Sequence, residues 1–174
     1  MKDSKLLVVV DMQKDFVTGP LGSDRAQEIV SRMTAFIKNF DGDVIFTKDT
    51  HDRKYLDTQE GRLLPIIHCL KGSPGHDLVP ELQEFEAQWP VIEKPTFGSM
   101  QLCKEVQEHR YDHIYLVGVC TDICVLANAV LLKTADPEAV IHVLQDLCSG
   151  STKDAHDCAL EQLASLQIDV PPSW

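Results

Sequence analysis

The chain has 174 residues, a hydrophobic share of 44%, a charged share of 25% and a formal net charge of −11. This length is sufficient for one domain with a buried core, and the composition is ordinary for a soluble globular protein. The negative charge repels phosphate backbones and anionic lipid, and no apolar run approaches the roughly 18 residues of a membrane span, so nucleic-acid and membrane partners are not expected.

The first residues favour a cytoplasmic location. The start, MKDSKLLVVVDMQKDF, has a short apolar run and no small-residue cleavage site, so it lacks the features of a signal peptide. The six cysteines are then expected to be mostly reduced thiols, and their even number is not a sign of disulfides.

Short apolar strands alternate with amphipathic helices along the chain. Leu6–Val10 is continuous and β-branched, as in a strand that is buried on both faces. Apolar residues recur at helical spacing between Ala26 and Phe40, and Asp24 is a candidate cap. The later predicted elements are the strand Val44–Thr47, the strand Val91–Lys94, the helix Met100–His109, the strand Ile114–Gly118, the helix Asp122–Thr134, the strand Ala139–Leu144 and the helix Thr152–Leu166.

This alternation predicts an α/β fold in which helices cover both faces of a parallel sheet. In such sheets, sites form beyond the carboxyl ends of the strands, which here means from Asp11, Asp49, Lys94 and Gly118 onward. The segment from Lys48 to Pro90 is too long for a plain connection, and long loops in compact domains are often functional. The sequence contains neither G-x-G-x-x-G nor G-x-x-x-x-G-K-[ST], so dinucleotide and P-loop chemistry lack their phosphate cradle.

Three strand ends carry a carboxylate, an amine and a thiol. Asp11 follows the first strand, Lys94 ends the third, and Cys124 follows the fourth, where Thr121 or Asp122 would cap the next helix. Each has an ordinary alternative, as a turn-capping aspartate, a solvated lysine or an inert buried thiol. Together they suit nucleophilic hydrolysis of an amide. A helix N-terminus and an ammonium lower the pKa of a thiol, a carboxylate transfers its proton, and backbone N–H groups hold an oxyanion.

A second group of polar residues follows the second strand. Asp49 and His51 can point the same way from an extended segment, and Glu60 and His68 lie further along the same loop. Two imidazoles and two carboxylates would suit Zn²⁺, Mn²⁺ or Fe²⁺. The alternative is a polar loop with scattered charges.

Five segments of the sequence form a recognisable set. They are VVVDMQKDFVTGPLG (Val8–Gly22), FTKDTH (Phe46–His51), IHCLKGSPG (Ile67–Gly75), EKPTFGS (Glu93–Ser99) and GVCTDICV (Gly118–Val125). In combination they resemble the isochorismatase-like cysteine hydrolase superfamily, and within it the nicotinamidases, over nearly the whole chain. The resemblance implies one domain over 1–174 and a three-layer α/β/α fold with a mainly parallel sheet of about six strands. It also implies a homo-oligomer.

The resemblance assigns roles to the strand-end residues. In this family the corresponding residues form a catalytic triad, which maps to Asp11, Lys94 and Cys124, with Cys124 as the nucleophile. A cis peptide maps to Val119–Cys120. It would aim the N–H of Cys120, together with that of Cys124, at the oxyanion.

The resemblance also implies one divalent metal ion, Zn, Mn or Fe, as a cofactor. The implied ligands are Asp49, His51, Glu60 and His68. Of these, Glu60 is an open choice, for which Asp57 is the runner-up and His76 and Cys69 are less favoured.

The implied substrate pocket combines family features with departures from them. Phe16 matches the aromatic that stacks on the substrate ring, and Gln13 is expected to contact the substrate or to support the metal. Thr50 replaces one tryptophan that is common in nicotinamidases, and Leu64-Pro65 lies where a second is expected, so one wall of the pocket is expected to be less aromatic. Cys120 replaces a common alanine, which places a second thiol near the nucleophile, where oxidation would allow a disulfide.

These observations give three candidate functions. The leading expectation is hydrolysis of nicotinamide to nicotinate and ammonia through a thioester acyl-enzyme. The second is a cysteine hydrolase of another small amide or carbamoyl substrate. The third is a non-enzymatic relative of the same fold that serves binding or assembly, and the intact set Asp11, Lys94 and Cys124 argues against it.

Overall fold

A sheet of five parallel strands forms the centre of the structure, in the spatial order β3-β2-β1-β4-β5. The computed structural model describes residues 4–172. The strands are β1 Lys5–Val10, β2 Asp43–Asp49, β3 Val91–Lys94, β4 His113–Val119 and β5 Val140–Ser149. The predicted α/β class with a parallel sheet is therefore confirmed. The expected domain 1–174 includes residues 1–3 and 173–174, which lie outside the described residues.

The expected sixth strand corresponds to a short segment near the end of the described chain. Asp169 forms a single parallel bridge with His142 of β5. The N–H of Val143 donates to the carbonyl of Asp169 at 2.8 Å, and the N–H of Asp169 donates to the carbonyl of Ile141 at 2.9 Å. Residues 4–172 thus contain five full strands and a single bridged residue, Asp169, beside β5. The expected number of about six strands was therefore approximate.

Seven α-helices lie within the described residues. They are α1 Lys14–Val17, α2 Asp24–Lys38, α3 Gln59–Leu63, α4 Gln83–Glu86, α5 Met100–His109, α6 Leu126–Ala135 and α7 Lys153–Ser165. The predicted cap of α2 was wrong: Ser23 is the cap, and its hydroxyl accepts from the N–H of Ala26 at 3.1 Å. Within residues 4–172, no helix combines the length and the apolar character that a membrane crossing requires.

Alternate residues of β1 pack against opposite helical layers. Leu6, Val8 and Val10 belong to the core cluster that includes residues of α5, α6 and α7, whereas Leu7 and Val9 belong to the cluster that includes α2 and the segment before β3. All five side chains are fully buried. Since burial of one such side chain contributes about 1.5–3 kcal/mol, β1 anchors both layers and fixes the position of the residue that follows it.

Candidate active site and metal centre

The carboxyl ends of β1, β3 and β4 bring Asp11, Lys94 and Cys124 together. The Nζ of Lys94 lies 2.6 Å from Oδ2 of Asp11 and 3.6 Å from Sγ of Cys124. It also donates to the carbonyl of Thr96 at 3.0 Å. The three residues are 0%, 1% and 5% exposed, respectively, so a carboxylate, an ammonium and a thiol meet almost out of contact with water.

The local backbone geometry sets the position of Asp11. Its φ is +52°, a left-handed conformation that non-glycine residues seldom adopt and that often marks a functional turn. The hydroxyl of Thr47 donates to Oδ1 of Asp11 at 2.6 Å. On the neighbouring strand, Gly118 has a φ of +121°, and a Cβ there would lie 2.1 Å from the carbonyl oxygen of Val10. Glycine therefore lets β4 approach the turn that carries Asp11.

Cys124 lies in a π-helical turn, Thr121–Val125, that continues directly into α6. The carbonyl of Cys120 accepts hydrogen bonds from the N–H groups of Ile123 and Val125, at 3.0 and 3.1 Å. The peptide bond that precedes Cys120 is cis, at the position that the family resemblance implies. The nucleophile candidate thus lies on a π-helical turn and not on a regular α-helix.

The side chains of Thr121 and Asp122, the predicted helix caps, form hydrogen bonds outside this turn. The hydroxyl of Thr121 is hydrogen-bonded to Nδ1 of His156 at 2.8 Å. The carboxylate of Asp122 accepts from the N–H and the hydroxyl of Ser151, at 2.8 and 2.6 Å. The prediction that either side chain caps the helix was wrong, because both instead tie the turn to α7 and to the residues that precede it.

Burial dominates the electrostatics of this group. Burial raises the pKa of the Cys124 thiol well above its ordinary value, Asp11 raises it further, and Lys94 lowers it in part. Burial also raises the pKa of Asp11, against the opposing effect of Lys94. The net shift of the thiol pKa is therefore upward, opposite to the expected lowering, because burial outweighs the ammonium of Lys94.

A cluster of four candidate ligands lies beside Lys94. Asp49, His51, Glu60 and His68 each offer one ligand atom, and these atoms all lie within 4.8 Å of one another. Oδ2 of Asp49 lies 3.0 Å from Nε2 of His51 and 3.5 Å from Nε2 of His68. Oε1 of Glu60 lies 3.6 Å from Nε2 of His51. Of the alternatives for the fourth ligand, the structure brings Glu60 and not Asp57 into the cluster.

The donor set fits a divalent transition metal ion. Nδ1 of His68 donates to the carbonyl of Ile66 at 2.7 Å, which leaves the lone pair of Nε2 directed at the cluster. Oδ1 of Asp49 is buried and accepts no hydrogen bond from residues 4–172. Burial opposes its charge, but the hydrogen bond with His51 and the nearby His68 and Lys94 lower the pKa of Asp49. The cluster therefore offers a carboxylate and an oriented imidazole to a cation.

Tyr55 is a residue of this cluster that the sequence analysis missed. Its ring centroid lies 4.5 Å from that of His51 and 4.9 Å from that of His68. Its hydroxyl donates to the carbonyl of Leu64 at 2.9 Å, and the side chain is almost fully buried. Tyr55 thus packs against both imidazoles and restricts their rotation. It lies in a short 3₁₀ turn, where no periodic pattern would have identified it.

Gln13 does not line the cavity, so its prediction as a substrate contact requires correction. Its amide group donates to the carbonyls of Asp49 and His76, at 2.9 and 3.0 Å. Its amide oxygen accepts from the N–H of Asp49 at 2.8 Å. Because both ends of this fully buried side chain are bonded to backbone, Gln13 fixes the position of the first candidate metal ligand.

A cavity of about 260 Å³ connects the thiol with the metal cluster. Its lining comprises Phe16, Leu21, Asp49, Glu60, Leu64, His68, Phe97, Cys120, Ile123, Cys124 and Ser151. The ring of Phe16 meets that of His68 edge-on, with the centroids 5.5 Å apart. Cys120 and Cys124 are both free thiols, and burial raises the pKa of Cys120 to about 12. The cavity suits one small molecule that reaches both the sulfur and the cluster.

The sequence pattern of the isochorismatase domain matches residues 5–170. The chain belongs to the isochorismatase family. A Bacillus subtilis relative, described as an uncharacterized isochorismatase family protein PncA, is 30% identical over 177 residues, which cover 92% of this chain and 94% of the relative. The nicotinamidase of Saccharomyces cerevisiae is 26% identical over 174 residues, which cover 72% of this chain and 80% of the relative. The family suggested by the five segments is therefore confirmed.

Solved structures share the fold of this isochorismatase-family protein. The nicotinamidase/pyrazinamidase PncA of Bacillus subtilis superposes with a TM-score of 0.80 at 26% identity, over 96% of this chain and 98% of that one. The pyrazinamidase of Pyrococcus horikoshii in complex with zinc, at 23% identity, has a TM-score of 0.81 over 98% and 99% of the two chains. The N-carbamoylsarcosine amidase of Thermoplasma acidophilum, at 24% identity, has a TM-score of 0.82 over 97% and 96%. These last two likenesses establish the fold alone.

Proposed function

We propose that this isochorismatase-family protein hydrolyses nicotinamide to nicotinate and ammonia through a thioester on Cys124. The observation that carries the proposal is a small cavity that is lined both by Cys124 and by residues of the candidate metal cluster. The nicotinamidase relatives support the reaction class, a hydrolase that acts on an amide. The triad of Asp11, Lys94 and Cys124 supplies the groups that this reaction needs.

The acylation half of the reaction uses the three residues in turn. Sγ of Cys124 attacks the carboxamide carbon while its proton passes to Asp11, whose carboxylate lies beside Lys94 in the same buried group. Lys94, at 3.6 Å from the sulfur, offsets the negative charge that develops there. The N–H groups of Cys120 and Cys124 receive the oxyanion. Asp11 then gives its proton to the departing amine, so that ammonia leaves and the nicotinoyl thioester remains.

The deacylation half returns the site to its starting state. Asp11, again a carboxylate, takes a proton from the water that attacks the thioester carbon. Collapse of the tetrahedral species expels the sulfur of Cys124, which recovers the proton from Asp11. Nicotinic acid leaves and loses its carboxyl proton to solvent as nicotinate. Burial raises the pKa of Asp11 above the ordinary aspartate value although Lys94 lowers it, and a raised pKa suits a group that must both accept and donate a proton.

The cluster would position the substrate rather than take part in the proton transfers. Asp49, His51, Glu60 and His68 would hold Zn²⁺, Mn²⁺ or Fe²⁺, and two carboxylates make the donor set harder than one rich in imidazole, which favours Mn²⁺ or Fe²⁺ somewhat. When bound, such an ion would act as a Lewis acid towards the pyridine nitrogen of nicotinamide. Phe16 would stack on the ring. Orientation of a substrate in this way contributes several kcal/mol to lowering the barrier.

A different small amide or a carbamoyl compound is the second candidate substrate. Leu64 lines the cavity at a position where the nicotinamidase pattern has an aromatic residue, and Leu21 adds another aliphatic side chain. A wall of this kind offers less stacking to a planar ring and accepts an aliphatic substrate equally well. The triad chemistry is the same for both substrate classes.

Release of ammonia from nicotinamide, measured with and without a chelator, tests the proposal. We expect turnover that the chelator abolishes and that Zn²⁺, Mn²⁺ or Fe²⁺ restores. Absence of turnover by metal-loaded protein would reject nicotinamide as the substrate, and turnover of a carbamoyl compound by the same preparation would favour the second candidate. Nicotinamide turnover that a chelator leaves unchanged would reject the metal site.

Two further expectations stay predictions. One is assembly into a homo-oligomer, which light scattering that detects only monomer would contradict. The other is a cytoplasmic location, which fractionation of the producing cell would test.

A further inference from the structure

Asn128 is a buried polar residue to which the proposed mechanism gives no role. It lies in the first turn of α6, and its side chain is fully buried. Its Nδ2 donates to the carbonyl of Cys124 at 2.8 Å and to the carbonyl of Phe97 at 3.1 Å. Its Oδ1 accepts from the N–H of Ser99 at 3.0 Å. Both amide hydrogens and the amide oxygen are therefore in use.

These three bonds join the two segments that carry the cation and the nucleophile. Phe97 and Ser99 belong to the short connection between β3, which ends at Lys94, and α5. Cys124 belongs to the π-helical turn. The 3.6 Å contact between Nζ of Lys94 and Sγ of Cys124 crosses the same boundary. Asn128 thus links the backbones of the two segments whose side chains meet at that contact.

Close packing between these segments makes the link important. A Cβ on Gly98 would lie 2.5 Å from Cδ1 of Leu131, so the connection after β3 lies directly on α6. Ser99 is only 4% exposed, which leaves its N–H little access to water. A buried backbone group that loses its partner is unfavourable and tends to be satisfied by a shift of the chain. Loss of the Asn128 amide would therefore displace the connection relative to the nucleophile.

We propose that Asn128 is a positioning residue for the hydrolysis. Its side-chain amide sets the distance between the ammonium of Lys94 and the sulfur of Cys124, and it holds Phe97 at the cavity wall. The inference rests on the proposed function for its substrate, whereas the reactivity of Cys124 provides a readout that needs no substrate.

Two substitutions of Asn128 and one control separate positioning from general stability. Asn128→Leu keeps the approximate size of the side chain and removes all three bonds. Asn128→Asp keeps the acceptor for the N–H of Ser99 and removes the donors to Cys124 and Phe97. Ser99→Ala is the control, because it removes the hydroxyl that caps α5 at the N–H of Leu102 (3.1 Å) and leaves the three Asn128 bonds in place.

Two quantities are measured on metal-loaded protein. The first is the steady-state rate of nicotinamide hydrolysis. The second is the rate at which iodoacetamide alkylates Cys124, with mass spectrometry to assign the alkylated residue. Both Asn128 variants are expected to lower kcat about 10- to 100-fold with KM changed less than about threefold. Alkylation of Cys124 is expected to slow, because Lys94 no longer offsets the thiolate charge. Ser99→Ala is expected to lose stability yet to keep kcat within about twofold of the wild type.

Two results would overturn the inference. One is a kcat of folded Asn128→Asp within about twofold of the wild type, and the other is an equal loss of kcat in Ser99→Ala. If Asn128→Leu fails to fold, the result for Asn128→Asp tests the positioning role. If the wild type does not turn over nicotinamide, the proposed function fails, and the alkylation rates alone test the positioning role. Slower alkylation of Cys124 in the Asn128 variants then supports that role, and an unchanged rate contradicts it.

Discussion

Replacement of Lys94 by methionine removes the ammonium between Asp11 and Cys124 and keeps an unbranched side chain of similar length. Nζ of Lys94 lies 3.6 Å from the sulfur, and at an effective dielectric constant of about 20 a pair of unit charges at that distance interacts with about 4–5 kcal/mol. Since the sulfur carries only part of a charge in the transition state, we expect kcat/KM to fall by about 10²- to 10³-fold.

The same substitution is expected to destabilise the fold. Oδ2 of Asp11, at 2.6 Å from Nζ, and Oδ1 of Asp49, at 3.7 Å, would both lose their positive neighbour. Removal of one partner from a buried ion pair typically costs about 3–5 kcal/mol. Lys71→Met is the matched control, because Lys71 is exposed and forms a surface ion pair with Glu93, the neighbour of Lys94. Loss of such a surface pair costs at most about 1 kcal/mol.

Two quantities are measured for each variant. The rate of ammonia release from nicotinamide gives kcat/KM, and unfolding by urea gives the stability. Near-ultraviolet circular dichroism identifies the conditions in which Lys94→Met is folded, and activity is compared under those conditions. A kcat/KM of folded Lys94→Met within about tenfold of the wild type would refute the electrostatic role assigned to the ammonium. A loss of similar size in Lys71→Met would show that the effect is not specific to the buried site.

Three further predictions concern the oxyanion, the metal and the base. Cys120→Ala is expected to keep kcat within about twofold of the wild type, because the proposed donor is a backbone N–H; a large loss would assign a role to the thiol. His51→Ala is expected to abolish metal binding and nicotinamide turnover while Cys124 still reacts with iodoacetamide; full turnover without metal would contradict the site. Burial raises the pKa of Asp11, although Lys94 opposes the rise, and the proposed base acts only as a carboxylate. As the pH decreases, kcat/KM is therefore expected to begin to fall above pH 4, the ordinary aspartate pKa being about 4. An acid limb at or below pH 4 would contradict this role.

The alternation of strands and helices was predictable because burial imposes distinct periodicities on each. The run Leu6–Val10 is apolar at every position since both of its faces pack against helices. The bounds Val91–Lys94 and Met100–His109 agree with the observed β3 and α5. The end of β5 was missed: the apolar pattern predicts a strand to Leu144, whereas the strand continues to Ser149. Its last two residues, Cys148 and Ser149, pair with Gly118 and Val119 of β4, and hydrophobic periodicity does not report such pairing.

Sites in parallel sheets form beyond the carboxyl ends of the strands, and this indicated where the triad lies. The sequence did not show the environment of the three side chains. Helix position and a nearby ammonium suggested a lowered pKa for Cys124, whereas burial reverses the direction. Burial depends on residues distant in the chain that cover the site. Tyr55 and Asn128 were missed for a related reason, because their importance lies in contacts across the fold. A lone tyrosine in a loop and a lone asparagine in a helix carry no local signal of such contacts.

Acylation of Cys124 is the step on which the proposed hydrolysis of nicotinamide depends. The acyl group is detected by mass spectrometry of protein quenched in acid during turnover of nicotinamide that is labelled at the carboxamide carbon. We predict that the label appears on the peptide that contains Cys124 in the wild type, that it is absent from Cys124→Ala, and that this variant forms no nicotinate. Formation of labelled nicotinate by Cys124→Ala would contradict this step.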